Sequence, residues 1–266
     1  MKGSEAMPLF FQILASGSKG NALLVASSKT KVLLDAGLSS KELVKRMDKT
    51  PGNPAHLDGV VLSHEHTDHT RGVGPFCRRF HLPVFCSQGT LERLPPQTGL
   101  LPQSHIFQTG RKFIIGDLHI HPFSISHDAR DPSGFVIEHE QTRLGICTDL
   151  GIVTHLVRDR LKTCDALIIE ANHDLKLLMD GPYLPHLKQR IRSTHGHISN
   201  GECKDLVKNL HHQKLKQVFL AHLSEVNNHP QLVLETFKEL TEDPRWNHTR
   251  FHVARQHEPS APVELI

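Results

Sequence analysis

Between Leu62 and Gly72 the chain reads LSHEHTDHTRG, which places His64, His66, Asp68 and His69 within six positions. Imidazole nitrogen and carboxylate oxygen are donors that zinc, manganese and iron accept. No helix or strand of fixed period brings positions 64, 66, 68 and 69 to one face. The cluster therefore belongs on a loop at a strand end, where neighbouring side chains can address two adjacent points. Alternate pairs from such a loop can serve two cations about 3.5–4 Å apart. Two cations that share a water lower its pKa toward neutrality and draw electron density from a phosphoryl or carbonyl group. The chemistry implied is hydrolysis through a metal-bridging hydroxide. A solvated His-rich turn is the bland alternative, and the cluster alone leaves the substrate open.

The elements that must position this loop are legible in outline. LFFQIL, ALLVAS and KVLLDAG are short β-rich runs separated by turn signals at 17–21 and 28–30, a meander of strands. Ser39 can cap a helix through Met47, and DGVVLSH supplies the strand that delivers the cluster. Further strands are expected at Leu82–Cys86, Lys112–Ile115, Leu118–Phe123, Gly134–His139, Arg143–Thr148, Ala166–Glu170 and Gln217–Ala221. Helical patterns lie at Val73–Phe80, Gly89–Leu94, Leu184–Arg192, Asn200–Leu210 and Gln231–Leu240. Strands in blocks with helices between them suit a two-sheet α/β (α+β) core covered by helices better than a regular βαβ barrel. The Pro95–His105 segment reads as a loop and the terminal PSAPVELI as a loosely held end.

At 266 residues and 38% hydrophobic, the chain is long enough for one large domain over residues 1–266. A formal charge of +3 forces no nucleic-acid reading, although local basic patches remain open. Five scattered cysteines without C-x-x-C spacing point to a reducing compartment and a cytoplasmic protein. PLFFQILASGS is short for a signal-peptide core, with Glu5 spoiling the basic region and Gln12 breaking the run, and no stretch approaches a membrane span. Oligomeric state is not legible.

Among 22 histidines, several lie outside the cluster. His119 and His121 share one face of a strand, a metal-compatible geometry without a nearby carboxylate in sequence, and read as an exposed strand face. His211 and His212 follow a helix, where an imidazolium suits the dipole. His155, His173 and His186 carry no clear role.

HEHTDH resembles the H-x-H-x-D-H signature of the metallo-β-lactamase-fold hydrolases. LASGSKGNALLV, LLDAGLS, SHDARDPSGFVI, GICTDLG, LIIEANHD, GHISN and LAHLSEVNN extend the likeness over nearly the whole chain, in the order of the YycJ/WalJ-like branch. The resemblance implies an αββα sandwich of two mixed sheets flanked by helices, with a site for two divalent metal ions, manganese or zinc, at the sheet edges. It implies His64, His66 and His127 on the first metal, Asp68, His69 and His222 on the second, and Asp149 between them. Taken singly, His127 and His222 read equally as surface histidines at strand ends, and Asp149 as a helix cap.

From the same resemblance, Asp68 orients or deprotonates the bridging water, and His197 in GHISN protonates the leaving oxygen. Its alternative is a helix-start histidine ahead of a Ser199 or Asn200 cap. In the SGSKGN turn, Ser16, Lys19 and Asn21 can present an anion-binding surface, and Asn172 in LIIEANHD joins them as a substrate contact. Lys188, Arg190 and Arg192 make a basic helix that suits a phosphate backbone or is simply a solvated face. With one Trp and one Tyr, the chain lacks the aromatics of an extended single-strand platform. The branch implies 5′ to 3′ exonuclease action on duplex DNA. A small cyclic or linear phosphodiester is the alternative substrate, and a non-catalytic metal-binding regulatory protein the alternative class.

Overall fold

The computed structural model describes residues 8–48 and 52–266, so the Glu5 reading lies outside the described residues. Among the described residues, fourteen strands form two seven-stranded sheets. In the first, β1 (Leu9–Ala15), β2 (Ala22–Ala26) and β3 (Lys31–Leu34) run as an antiparallel meander. β4 (Gly59–Val61), β5 (Val84–Ser87) and β6 (Ser104–Phe107) continue parallel to β3, and β14 (Val263–Leu265) closes the other edge against β1. The second sheet repeats the plan. β7 (Phe113–Ile115), β8 (Leu118–Ser124), β9 (Ser133–His139) and β10 (Thr142–Cys147) are antiparallel. β11 (Ala166–Glu170), β12 (Gln217–Ala221) and β13 (Arg250–Val253) then run parallel to β10.

Strands covered on both faces must be apolar throughout, which is why ALLVA and ALII read as continuous runs. Their alternation sorts side chains into three layers. Phe11, Val25, Leu34, Ile137, Ile168 and Phe219 meet between the sheets. Phe11 packs edge-on to Phe219 at 5.4 Å, a pair worth about 0.5–1.5 kcal/mol beyond burial and one that ties β1 to β12. Leu24, Leu33 and Val60 face outward against Leu43 and Met47 of α1 (Ser40–Met47) and Phe76 of α3 (Val73–Phe80). Leu167, Ile169, Val218 and Leu220 pack on Val157 of α5 (His155–Leu161), Leu206 of α8 (Asn200–Asn209) and Phe237 of α9 (Pro230–Thr241). The result is the αββα sandwich. Shorter helices α2 (Thr67–Thr70), α4 (Gln88–Arg93), α6 (Leu175–Asp180) and α7 (Pro185–Ile191) lie in the connections.

A polar clasp closes the sandwich where the β2–β3 and β7–β8 turns meet. Ser27 Oγ donates to Asp117 Oδ1 at 2.6 Å, Asp117 N donates to Thr30 Oγ1 at 3.1 Å, and His139 Nε2 lies 3.3 Å from Asp117 Oδ2.

Four expectations are corrected. PSAPVELI is not a loose end: Val263 and Leu265 pair with Phe11 and Leu9, and Leu265 is buried. Pro95–His105 is not all loop, since it holds a 3₁₀ turn at Pro96–Thr98 and the start of β6. The strand β13 and the short helices α5 and α6 went unread, because two turns of helix carry too little periodicity to register. His211 and His212 do not cap their helix; their Nε2 atoms approach the carbonyls of Arg245 and Cys164 instead. The five cysteines are free and buried, and burial pushes the thiols of Cys77, Cys86 and Cys164 up to about 12. No helix among the described residues is long and apolar enough to cross a membrane.

Candidate metal centre at the strand ends

The C-terminal ends of β3, β4, β10, β11 and β12 converge on one side of the sandwich, where open α/β sheets place their ligands. Each strand hands over a polar residue at the point where its apolar run stops: Asp35, Ser63 and His64, Asp149, Glu170 and His222. Asp35, Asp149 and His222 all take positive φ, at 60°, 58° and 55°. Left-handed backbone turns each side chain back across the sheet end, a conformation that Asp tolerates better than most residues.

His64 and His66 lie in the loop after β4, but Asp68 and His69 sit on α2, with His66 at its N-cap. The expectation that the whole cluster occupies a loop is thus half right: one helical turn points the adjacent Asp68 and His69 in different directions. The motif is sewn to its surroundings by Asn21 N to Asp68 O at 2.7 Å and Ala36 N to His69 O at 2.8 Å. Gly37 permits this approach, since a Cβ there would sit 1.6 Å from Asp68 O.

Two groups of donors face each other. His64, His66 and His127 form one, with ring centroids 4.6–5.1 Å apart. Asp68, His69, Asp149 and His222 form the other. Asp149 reaches toward both: Oδ1 is 3.7 Å from His127 Nε2 and Oδ2 is 3.2 Å from His69 Nε2.

The imidazoles are held from behind. His64 Nδ1 lies 3.0 Å from Ser63 Oγ, His69 Nδ1 2.7 Å from Asp35 Oδ2, His127 Nδ1 3.1 Å from Gly196 O, and His222 Nδ1 2.8 Å from Glu170 Oε1. Such contacts hold Nδ1 and turn Nε2 toward the other donors. His64 Nε2, His222 Nε2 and Asp149 Oδ2 are buried and have no hydrogen-bond partner in the protein. Buried polar atoms left unpartnered cost about 1–3 kcal/mol each, so one such atom in the first donor group and two in the second fit a divalent cation at each. The mixed N and O donor set suits zinc or manganese.

Electrostatics agree. Burial pushes His64 and His127 below the usual imidazole range. Burial also disfavours charge on His69 and His222, but Asp149, aided by Asp35 and Asp68 around His69 and by Asp68 and Glu170 around His222, raises both well above it. Burial would raise Asp68 and Asp149, yet His69 and His222 hold both carboxyls below the ordinary range.

Glu170 organises the far side. It is fully buried; Oε1 lies near His197 Nδ1 at 2.9 Å as well as His222 Nδ1, while Oε2 accepts from Leu150 N at 2.9 Å and Ile198 N at 3.2 Å. Burial works against its charge, but His197 and His222 prevail and lower the carboxyl to about 2. His197 lines the cavity over the donor groups and also stands just ahead of α8, which Ser199 caps in a capping box with Glu202, as the helix-start alternative expected.

That cavity, of about 230 Å³, is lined by His66, Asp68, His127, Asp149, His197 and His222, together with Asn172, Tyr183 and Arg190. Of the four expected substrate contacts, only Asn172 borders it, while its Nδ2 donates to His222 O at 3.0 Å. Ser16 is a buried support whose Oγ accepts from His222 N at 2.8 Å. Lys19 pairs with Glu225 at 2.6 Å, and Asn21 Nδ2 reaches His69 Nε2 at 3.0 Å and Asp68 Oδ2 at 3.3 Å from behind. His119 and His121 lie elsewhere, His121 paired with Glu138 at 2.7 Å. Sequence reasoning missed Asp35, Glu170, Asp128 and Tyr183. A carboxylate ending an apolar strand was the available signal for the first two, because a buried charge needs partners.

Comparison with known proteins agrees with this architecture. Residues 30–223 match the beta-lactamase superfamily domain. The chain is 31% identical over 261 residues to the exodeoxyribonuclease YycJ of Bacillus anthracis, covering 97% of this chain and 99% of that protein. It is 34% identical over 226 residues to the exodeoxyribonuclease WalJ of Streptococcus pneumoniae, covering 84% of each. In fold it is similar to the metallo-β-lactamase fold protein YhfI of Bacillus subtilis, with a TM-score of 0.72 at 17% identity over 97% of this chain and 100% of that one. A hydrolase fold with clustered metal-binding donors at its strand ends, and curated relatives matched along nearly its full length, make this chain a metal-dependent hydrolase of the YycJ/WalJ-like branch of the metallo-β-lactamase superfamily.

Proposed function

We propose that the protein is a dinuclear metal-dependent phosphodiesterase that degrades duplex DNA from an end in the 5′ to 3′ direction, as one domain over residues 1–266. The single observation that carries the dinuclear reading is a pair of donor groups, each with a buried atom that lacks a hydrogen-bond partner: His64 Nε2 in one, Asp149 Oδ2 and His222 Nε2 in the other. DNA as substrate is supported by the names of the two curated relatives.

In this reading His64, His66 and His127 would hold one cation and Asp68, His69 and His222 the other, with Asp149, which lies near both His127 and His69, available to either. Two divalent cations, manganese or zinc, supply hydroxide near neutral pH and withdraw charge from the phosphoryl group. Asp68, which borders the cavity, orients or deprotonates the attacking water. His197 gives a proton from Nε2 to the leaving oxygen while Glu170 holds Nδ1; burial disfavours its charge, but Glu170 outweighs that and raises its pKa, the direction a proton donor needs. Five free, buried thiols support a reducing, cytoplasmic setting.

The experiment is turnover of a 5′-labelled duplex by protein loaded separately with Mn²⁺ and Zn²⁺, with Asp68→Ala as the blank. Metal-dependent shortening absent from the variant supports the reading. Hydrolysis of bis-p-nitrophenyl phosphate without shortening of DNA moves the substrate to a small phosphodiester, and metal binding without either moves the protein to a regulatory role.

A further inference from the structure

The segment between α6 and α7 contributes Tyr183 to the cavity wall, and the last turn of α7 contributes Arg190 and Ile191. Tyr183 is the one tyrosine in the chain. It is half-buried, and Pro182 and Pro185 flank it closely, restricting the backbone that carries the ring. Arg190 is 64% exposed, and its Nε and Nη2 both meet Asp128 Oδ2, at 2.8 and 2.5 Å. Two of the five guanidinium N–H directions are so committed and the rest remain for a ligand. Asp128 in turn lies 3.4 Å from His127 Nε2, so the guanidinium is anchored beside the first donor group.

A cavity of about 230 Å³ is smaller than the roughly 300–1,000 Å³ that encloses a drug-sized ligand. It takes a phosphate and part of one nucleotide, not a base pair stacked in a duplex. For the end of a duplex to enter such a recess, its last nucleotide has to leave the stack, as a nucleotide does for enzymes that act on a base. A single aromatic ring at the rim can offer that nucleotide one stacking partner.

We propose that Tyr183 and Arg190 form a subsite for the terminal nucleotide in its unpaired state, with the Tyr183 ring against the base and the Arg190 guanidinium on a phosphate oxygen. This rests on the nuclease reading and adds to it that the end of the duplex must open by one pair before cleavage. The scarcity of aromatics then follows from the task, because one base is stacked at a time. Asp128 acts as a positioning residue for Arg190.

The test is single-turnover degradation of three duplexes identical except at the end attacked: matched, mismatched and abasic in the terminal nucleotide. Wild type, Tyr183→Ala, Tyr183→Phe and Arg190→Gln are compared after circular dichroism and metal content establish that each is folded and loaded. The wild type cuts the mismatched end faster than the matched one, because unpairing is already done. It also cuts the mismatched end about tenfold faster than the abasic one, since neither pays for unpairing and only the former has a base to stack. Tyr183→Ala loses the second preference and Tyr183→Phe keeps it. Arg190→Gln raises KM and reduces the slope of log affinity against log salt by about 0.9. A Tyr183→Ala enzyme that still prefers the mismatched to the abasic end, or a wild type indifferent to pairing, overturns the inference alone. A wild type that leaves all three duplexes intact overturns the nuclease reading and this inference with it.

Discussion

His69 Nδ1 lies 2.7 Å from Asp35 Oδ2, in a contact where the two side chains are 0% and 7% exposed. Asp35 ends β3 with a left-handed backbone, and the same carboxylate accepts from Ser63 N and Ser63 Oγ, each at 2.8 Å. One residue thereby joins the meander to the motif loop and fixes which nitrogen of His69 faces the second donor group. Asp35→Asn keeps the shape but offers an amide where an acceptor is needed. Metal affinity of the second site is expected to fall about 10- to 100-fold, the usual cost of losing a partner behind a histidine ligand. Competitive titration with a chromogenic chelator measures it; unchanged affinity for both metal equivalents would show that Asp35 does not orient His69.

His197→Gln tests the proton donor. The variant is expected to hold the same metal per chain and to degrade DNA about 10²-fold more slowly in kcat. Loss on bis-p-nitrophenyl phosphate should be much smaller, because p-nitrophenolate leaves without needing a proton. An equal loss on both substrates would assign His197 to support of the site instead of proton transfer.

Chelation should cost stability as well as activity. Removing cations re-exposes the unpartnered Asp149 Oδ2 and His222 Nε2 to each other's surroundings with no compensating bond. For metal present at about 100 times its Kd, the linkage is about 2.7 kcal/mol. In a chain of this length that corresponds to a Tm lower by about 5–10 °C, read by calorimetry with and without EDTA. A Tm unmoved by saturating chelator would count against the buried centre as a metal site.

The Asp117 clasp has a pH dependence of definite sign. Burial raises the Asp117 pKa, but hydrogen bonds from Ser27 and Thr30, with His139, outweigh it and leave the carboxyl below its ordinary value. A folded pKa below the unfolded one means the contribution is complete above about pH 4 and disappears as pH falls through the lowered value. Asp117→Ala, which also removes the acceptor of Ser27, is expected to cost about 1 kcal/mol at pH 7. Melts of wild type and variant, both in EDTA so that metal loss does not enter, should converge as pH drops below 4. A gap that persists at pH 3 would place the effect in packing.

The donor cluster was legible because four of its residues are crowded into HEHTDH, while His127, Asp149 and His222 were picked out by the family likeness. The layers were legible because ALLVA and ALII, apolar at every position, have to be covered on both faces. The family likeness supplied the sandwich and the order of the ligands. What the sequence left open depends on partners distant along the chain. PVEL is a strand only because the edge of β1 accepts it, some 250 residues earlier. Ser16 and Asn21, readable as an anion-binding turn, became supports for His222 and Asp68 once the turn folded behind the motif loop. Asp35 and Glu170 have no local pattern beyond a carboxylate closing an apolar strand, and their function exists only where packing brings His69, His197 and His222 to them. Donor chemistry is carried by residue type and short spacing; its orientation is carried by contacts between strand ends, which tertiary packing alone creates.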